Sequence, residues 1–129
     1  MSFATELSTL MNANATINSL VDGIYRETTS TEFNAQKKWV IYTCKQNNSI
    51  SVLGNKDAIS MYTLYVEVYT AKASDTGTIS DMIKTYLTGF SSNTIRDISF
   101  NTETHSNIAD TNNNVAFITL MEFEVVFQN

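Results

Sequence analysis

A chain of 129 residues fits one domain, residues 1–129. It can bury roughly two thirds of the surface that its unfolded form exposes. Its 43% hydrophobic content is ordinary for a globular protein, and it has no run of about 18 apolar residues, which excludes a membrane-spanning helix. The net charge of −5, with eight scattered Lys and Arg and only Lys37-Lys38 adjacent, argues against gripping a phosphate backbone as the main function.

The opening Met-Ser-Phe-Ala-Thr-Glu has neither a basic stretch nor an apolar core, so no secretory leader is expected. Cys44 is the single cysteine, which rules out an intramolecular disulfide and a multi-thiolate zinc site. With no proline in the chain, turns must rest on Gly, Asn, Asp and Ser.

Phe3, Leu7, Leu10 and Met11 repeat at helical spacing, and a second short run places Ile17, Leu20 and Val21 on one face. Asp22-Gly23 stops that helix, and a short strand is expected near Ile24 to Thr29, followed by a polar stretch over Ser30 to Gln36. Lys38 to Gln46 has the β-branched and aromatic composition of a strand. It lacks clean alternation, which suggests burial on both faces or a contact between subunits. Asn47-Asn48-Ser49 and Gly54-Asn55-Lys56-Asp57 read as turns.

Ser60 to Thr70 is the clearest strand. Tyr62, Leu64, Val66 and Val68 fall on a core face, while Thr63, Tyr65, Glu67 and Tyr69 fall on the other. A major helix follows, with Ser74 or Asp75 as its expected N-cap and an apolar stripe of Ile79, Met82, Ile83, Tyr86 and Leu87. Gly89 stands where a left-handed C-terminal residue is wanted. Ile95 to Thr104 alternates as a strand, and Thr104 to Asn114 reads as a polar loop tipped by Asp110 to Asn114. In the last strand, Val115 to Phe127, the residues Val115, Phe117, Met121, Phe123, Val125 and Phe127 share an apolar face, while Glu122 and Glu124 share the other. The order helix, helix, strand, strand, strand, helix, strand, strand predicts an α+β domain. A mainly antiparallel sheet of four to five strands would carry the N-terminal and second major helices.

Candidate chemistry is sparse. His105, the only histidine, sits between Thr104 and Ser106 with no local nucleophile or carboxylate pair, and reads as an exposed loop or strand-end residue. Cys44 has Lys45 as its one nearby cation, on the opposite face of a strand, and reads as a structural thiol. Glu122 and Glu124 would lie about 7 Å apart along one strand face. Catalytic carboxylates flank a cleft from different elements, so a solvated face is expected, or an acidic channel wall that repels DNA phosphate. Gly54-Asn55-Lys56 lacks phosphate-loop context, and Asp57 and Asp75 lack calcium-loop spacing. Neither a cofactor nor a metal is expected. Tyr65 and Tyr69 read as half-exposed strand aromatics or as a subunit interface, where aromatics are enriched.

Two stretches carry a family resemblance. Glu6-Leu7-Ser8-Thr9-Leu10 with Ala15-Thr16-Ile17-Asn18-Ser19-Leu20-Val21-Asp22-Gly23-Ile24-Tyr25 resembles the opening helix, second helical turn and first strand of the tail-completion, or tail-terminator, proteins of long-tailed bacteriophages. Tyr65-Val66-Glu67-Val68-Tyr69-Thr70-Ala71, leading into the helix that ends Tyr86-Leu87-Thr88-Gly89, resembles that family's strand, hinge, helix and Leu-x-Gly core. The closing strand also falls where the family places its last one. The chain departs from the family in having Lys37-Lys38-Trp39 where many members carry a proline, and Gly23 where they carry an arginine.

The resemblance implies a non-catalytic virion protein, assembled in the host cytoplasm and resident in the tail or neck. Its family forms a ring, commonly of six subunits, that caps the tail tube, stops tube polymerisation and docks the head connector. Its implied partners are itself, the tail tube protein and the head connector, with DNA passing through the lumen without specific binding. Tyr65, Glu67, Tyr69 and Trp39 are the expected subunit interface, and Glu122 and Glu124 the expected channel-facing acidic face. Polar loops near Thr28 to Gln36, Asn47 to Asp57 and Thr104 to Asn114 would face the lumen or neighbouring rings. The competing class is a small ligand-binding or hydrolase-like domain, with His105 or Tyr42 converging on a cleft between the major helix and the sheet. Nearer alternatives are another neck protein or a tail-tube subunit; the latter normally needs a long hairpin, which the sequence does not display.

Overall fold

Phe3, Leu7, Leu10 and Met11 are all buried along one side of α1 (Phe3–Asn12). Asn14 then starts α2 (Ala15–Leu20): its side-chain oxygen accepts from the Ile17 N–H at 3.0 Å, and Ile17 turns inward. The computed structural model describes residues 3–27, 34–50 (47–50 as backbone only) and 59–128. Five strands follow the two short helices: β1 (Gly23–Arg26), β2 (Trp39–Ile50), β3 (Ile59–Thr70), β4 (Ile95–Ala109) and β5 (Val115–Gln128), with α3 (Ala73–Leu87) between β3 and β4. The expected element order holds throughout. They form one sheet in the order β1-β2-β3-β5-β4, antiparallel except for the β1–β2 pair, so the domain is α+β.

Period-two alternation on β3 sets the two faces of the sheet. Leu64, Val66 and Val68 turn inward and meet Val40, Tyr42, Met121, Phe123, Val125 and Phe127 in one core cluster. All three helices add their apolar sides to that same cluster, so they lie on one face of the sheet. Phe3 seats α1 by stacking on Tyr62 at 4.0 Å and meeting Phe127 edge-on at 5.0 Å. Ile79, Ile83 and Leu87 of α3 are almost fully buried, while Met82 and Tyr86 of the same stripe are half-buried.

The structure revises several boundaries. β1 ends at Arg26 rather than Thr29, because Glu27 takes a left-handed φ of 68°. Thr28 and Thr29, most of the polar stretch after them, and the Gly54-to-Asp57 turn lie outside the described residues. The expected Asn47-Asn48-Ser49 turn is backbone of β2 instead. Cross-strand pairing with β3 continues to Ile50↔Ile59, and a register shift between Gln46 and Asn48 absorbs the extra residue as a bulge. Neither Ser74 nor Asp75 caps α3: Lys72 occupies that position with no side-chain bond, and the helix starts at Ala73. Gly89 does adopt the expected left-handed conformation, at φ 80°.

The largest revision is in β4. Residues 104–109, read as loop, are strand, because β5 supplies partners from His105↔Thr119 to Ala109↔Val115. Their polar side chains suit the exposed edge of a sheet, where pairing on one side overrides weak strand propensity. The β4–β5 pair is therefore a long hairpin, contrary to the sequence reading. Its turn is clamped by Asp110, whose carboxylate accepts from the N–H groups of Asn112 and Asn114 at 2.9 and 3.0 Å and from the distant Ala35 N–H at 3.2 Å.

Candidate interaction surface

The sheet face turned away from the helices carries the residues singled out in the sequence. Cross-strand register places Tyr65 opposite Glu122, Thr63 opposite Glu124, Glu67 opposite Leu120 and Tyr69 opposite both Ile118 and Trp39. The expected interface set and the expected channel-facing pair are thus parts of one surface. Ile41, Tyr65, Tyr69, Ile118, Leu120 and Val126 are half-buried there, and so are Glu67, Glu122 and Glu124. No helix covers this face among the described residues. It is an apolar patch set with three carboxylates.

Hydrogen bonds order part of it. The Tyr69 hydroxyl donates to Glu67 Oε2 at 2.7 Å, and Thr102 donates to Glu122 Oε2 at 3.0 Å. Partial burial, that hydrogen bond and the adjacent Glu67 charge all push the Tyr69 phenol well above its ordinary range. Tyr69 therefore stays a neutral donor at any physiological pH. Trp39 shares the register of this face but is only 2% exposed, with the Tyr25 ring edge-on at 6.3 Å. That burial leaves it little area for contact with a neighbouring subunit. Tyr25 in turn folds back over Gly23, where an added Cβ would collide with its hydroxyl oxygen.

The surrounding chemistry is structural. Cys44 points to the core side opposite Leu64, and burial pushes its thiol up to about 12 against the opposing pull of Arg26. It carries almost no thiolate near neutral pH. His105 lies on the β4 edge with its side chain 64% exposed, its Nε2 2.9 Å from Glu103 and its Nδ1 3.3 Å from the Thr119 hydroxyl. Glu103 also meets Lys84 of α3 at 2.9 Å, and this lysine bond is the main cause that holds its carboxyl below the usual carboxylate range. Tyr42 is buried in the core, and the void beneath α3 is about 10 Å³ and lined chiefly by Met11, Ile17, Val40 and Ile83. His105 and Tyr42 therefore do not converge on a cleft between α3 and the sheet. Asp75 faces Lys38 at 3.6 Å, and no group of three metal-ligating side chains gathers among the described residues.

No family model matches the chain, and no curated protein does. In three dimensions it is similar to a chain of the virion of a native gene transfer agent particle. The TM-score is 0.68 at 14% identity, over 95% of this chain and 92% of that one. The likeness is one of fold.

Sequence reasoning missed Ile41, Ile118, Leu120 and Val126 as parts of the surface. The signal was present for three of them, since Ile118, Leu120 and Val126 share the even parity of Glu122 and Glu124 along β5.

Proposed function

We propose that this chain is a structural virion protein, a tail terminator. It closes into a ring of six subunits that caps the tail tube, ends tube polymerisation and joins the tail to the head connector. The observation that carries this reading is the fold likeness to a virion chain over nearly the full length of both chains. The resemblance of the Glu6-to-Tyr25 and Tyr65-to-Gly89 stretches to tail-completion proteins points the same way.

The helix-free sheet face is the subunit contact. Its tyrosines and aliphatic residues supply apolar area, and its three half-buried carboxylates constrain the geometry. Two such faces meeting each other would oppose six carboxylates, and like-charge juxtaposition costs several kcal/mol. A face-to-face dimer is therefore disfavoured, and the patch fits a different surface of the next subunit. Repeated contacts of that kind close into rings when the rotation allows. The net charge of −5 suits a lumen that lets DNA pass without holding it. The protein acts by assembly and shape, not by catalysis.

The long β4–β5 hairpin favours one second reading, a tail-tube subunit, since such proteins normally need a long hairpin arm to build their ring. Negative-stain images of the concentrated protein distinguish the two. Single closed rings with a hole as wide as a DNA duplex or wider support the terminator; stacked tubes of indefinite length support the tube subunit. Compact particles without a hole contradict both.

A further inference from the structure

Lysines 37, 38 and 72 lie just past one end of the helix-free face, where β2 begins and β3 ends. Lys37 and Lys38 precede Trp39, whose register partner is Tyr69, and Lys72 follows β3 at the N-cap of α3. Their backbone is held on several sides. The Lys38 N–H donates to Asp22 Oδ2 at 2.8 Å and the Lys37 N–H to the Asn34 carbonyl at 3.1 Å. The Lys72 carbonyl accepts from the Thr70 hydroxyl at 2.5 Å and from the Asp75 N–H at 3.1 Å. Lys38 Nζ is engaged by Asp75 at 3.6 Å. Lys37 and Lys72 are exposed and make no ion pair among the described residues.

The carboxylates of the face lie further along it. Glu122 stands in the Tyr65 row and Glu124 in the Thr63 row, four and six residues of β3 away from Tyr69. At the rise of an extended chain these rows are roughly 13 and 20 Å from the Tyr69 row. Lys37 and Lys72 start beyond that row, so neither reaches Glu122 or Glu124 of its own chain. Lys45 shares the row of Glu124 across Thr63, yet it too makes no ion pair among the described residues. Each subunit thus carries cations at one end and half-buried carboxylates on a face that those cations cannot serve.

We infer that the lysine end of a second copy of this chain, through Lys37 and Lys72, seats on the helix-free face at Glu122 and Glu124. The inference rests on the ring contact proposed above and names the surface that the next subunit offers to it. Opposite charges set in this way fix the register of the contact and reject a like-charged partner. Because the end of one copy meets the face of another, the contact is head-to-tail and leaves a free end and a free face for further copies.

The test follows self-association of the full chain from about 1 to 100 µM by analytical ultracentrifugation. It compares the wild type, the double variant Glu122→Lys/Glu124→Lys, the double variant Lys37→Glu/Lys72→Glu, and an equimolar mixture of the two variants. Each variant alone opposes like charges, so its association midpoint should rise about tenfold or more. In the mixture every reversed surface finds its opposite, and the midpoint should return to within about threefold of the wild-type value. Association of Lys37→Glu/Lys72→Glu at the wild-type midpoint overturns the inference while leaving the face as a contact. A mixture no better than its components overturns it too. A wild type that is monomeric throughout contradicts the ring reading itself, and the inference falls with it. Should Glu122→Lys/Glu124→Lys lose its native circular dichroism, Glu122→Gln/Glu124→Gln takes its place. In that background Lys37→Glu/Lys72→Glu should move the midpoint less than in the wild type, and an equal shift overturns the inference.

Discussion

Tyr65 on β3 stands directly across from Glu122 on β5, so an aromatic ring and a carboxylate from distant parts of the sequence share one exposed face. That pairing joins two features that look independent along the chain. It also makes Tyr65 the most central aromatic of the helix-free surface, flanked on its own strand by Thr63 and Glu67.

Truncating that ring should weaken assembly far more than folding. Central interface aromatics commonly contribute about 2 kcal/mol or more, so Tyr65→Ala should raise the concentration at which subunits associate by about 30-fold. Analytical ultracentrifugation reads that midpoint, and the melting curve of the dissociated subunit should move by only a few degrees.

Ile83 faces the core from α3 at 2% exposure. Ile83→Asp would bury a carboxylate without a partner and should leave the chain unfolded at 25 °C. Ile83→Val, which only removes a methylene, should cost about 1 kcal/mol by urea denaturation.

Gly23 lies under the ring of Tyr25, and Tyr25 shields Trp39, the single tryptophan. Gly23→Ala should push the tyrosine ring aside and let water reach the indole edge. The expected readout is a red shift of tryptophan emission in a protein that remains folded by circular dichroism. An unchanged emission maximum would mean that the ring finds another way to cover Trp39.

The thiol of Cys44 is pushed up to about 12 by burial, so it should resist alkylation at pH 7.5 in the native state. Iodoacetamide labelling followed by mass spectrometry should show modification rising along the urea unfolding curve. Rapid labelling of the native protein would contradict the core-side placement of this residue.

Glu103 is held below the ordinary carboxylate range first by its bond to Lys84. A carboxyl that titrates lower when folded contributes stability that is present above its unfolded value, near 4.3, and is lost as pH falls through the folded value. Glu103→Gln should therefore lower the melting temperature at pH 6, and the difference from wild type should shrink on acidification below about pH 4.

Much of the fold was legible because β3 and α3 carry unambiguous periods. Alternation from Tyr62 to Tyr69 and the Ile79-to-Leu87 stripe fix which faces are buried, and Gly89 marks the helix end. Segments whose state depends on a distant partner were not legible. Residues 104–109 are polar enough for a loop and become strand only because β5 pairs with them; Asn47 becomes the extra residue of a bulge because the pairing with β3 continues past it. The surface was half legible. Tyr65, Glu67 and Tyr69 could be grouped from β3 alone, but joining them to Glu122 and Glu124 requires the β3–β5 register, which no local pattern encodes. Trp39 drew notice as an aromatic in a strand, and its burial under Tyr25 depends on a glycine sixteen residues earlier.

The proposed ring requires the helix-free face to join each subunit to a different surface of the next. Native mass measured from about 1 to 100 µM, for the wild type and Tyr65→Ala side by side, tests it most directly. The wild type should pass from monomer to a single closed species of six subunits, and the variant should remain monomeric over most of that range. A wild type that stays monomeric throughout, a terminal dimer, or a ring equally stable in Tyr65→Ala would contradict it.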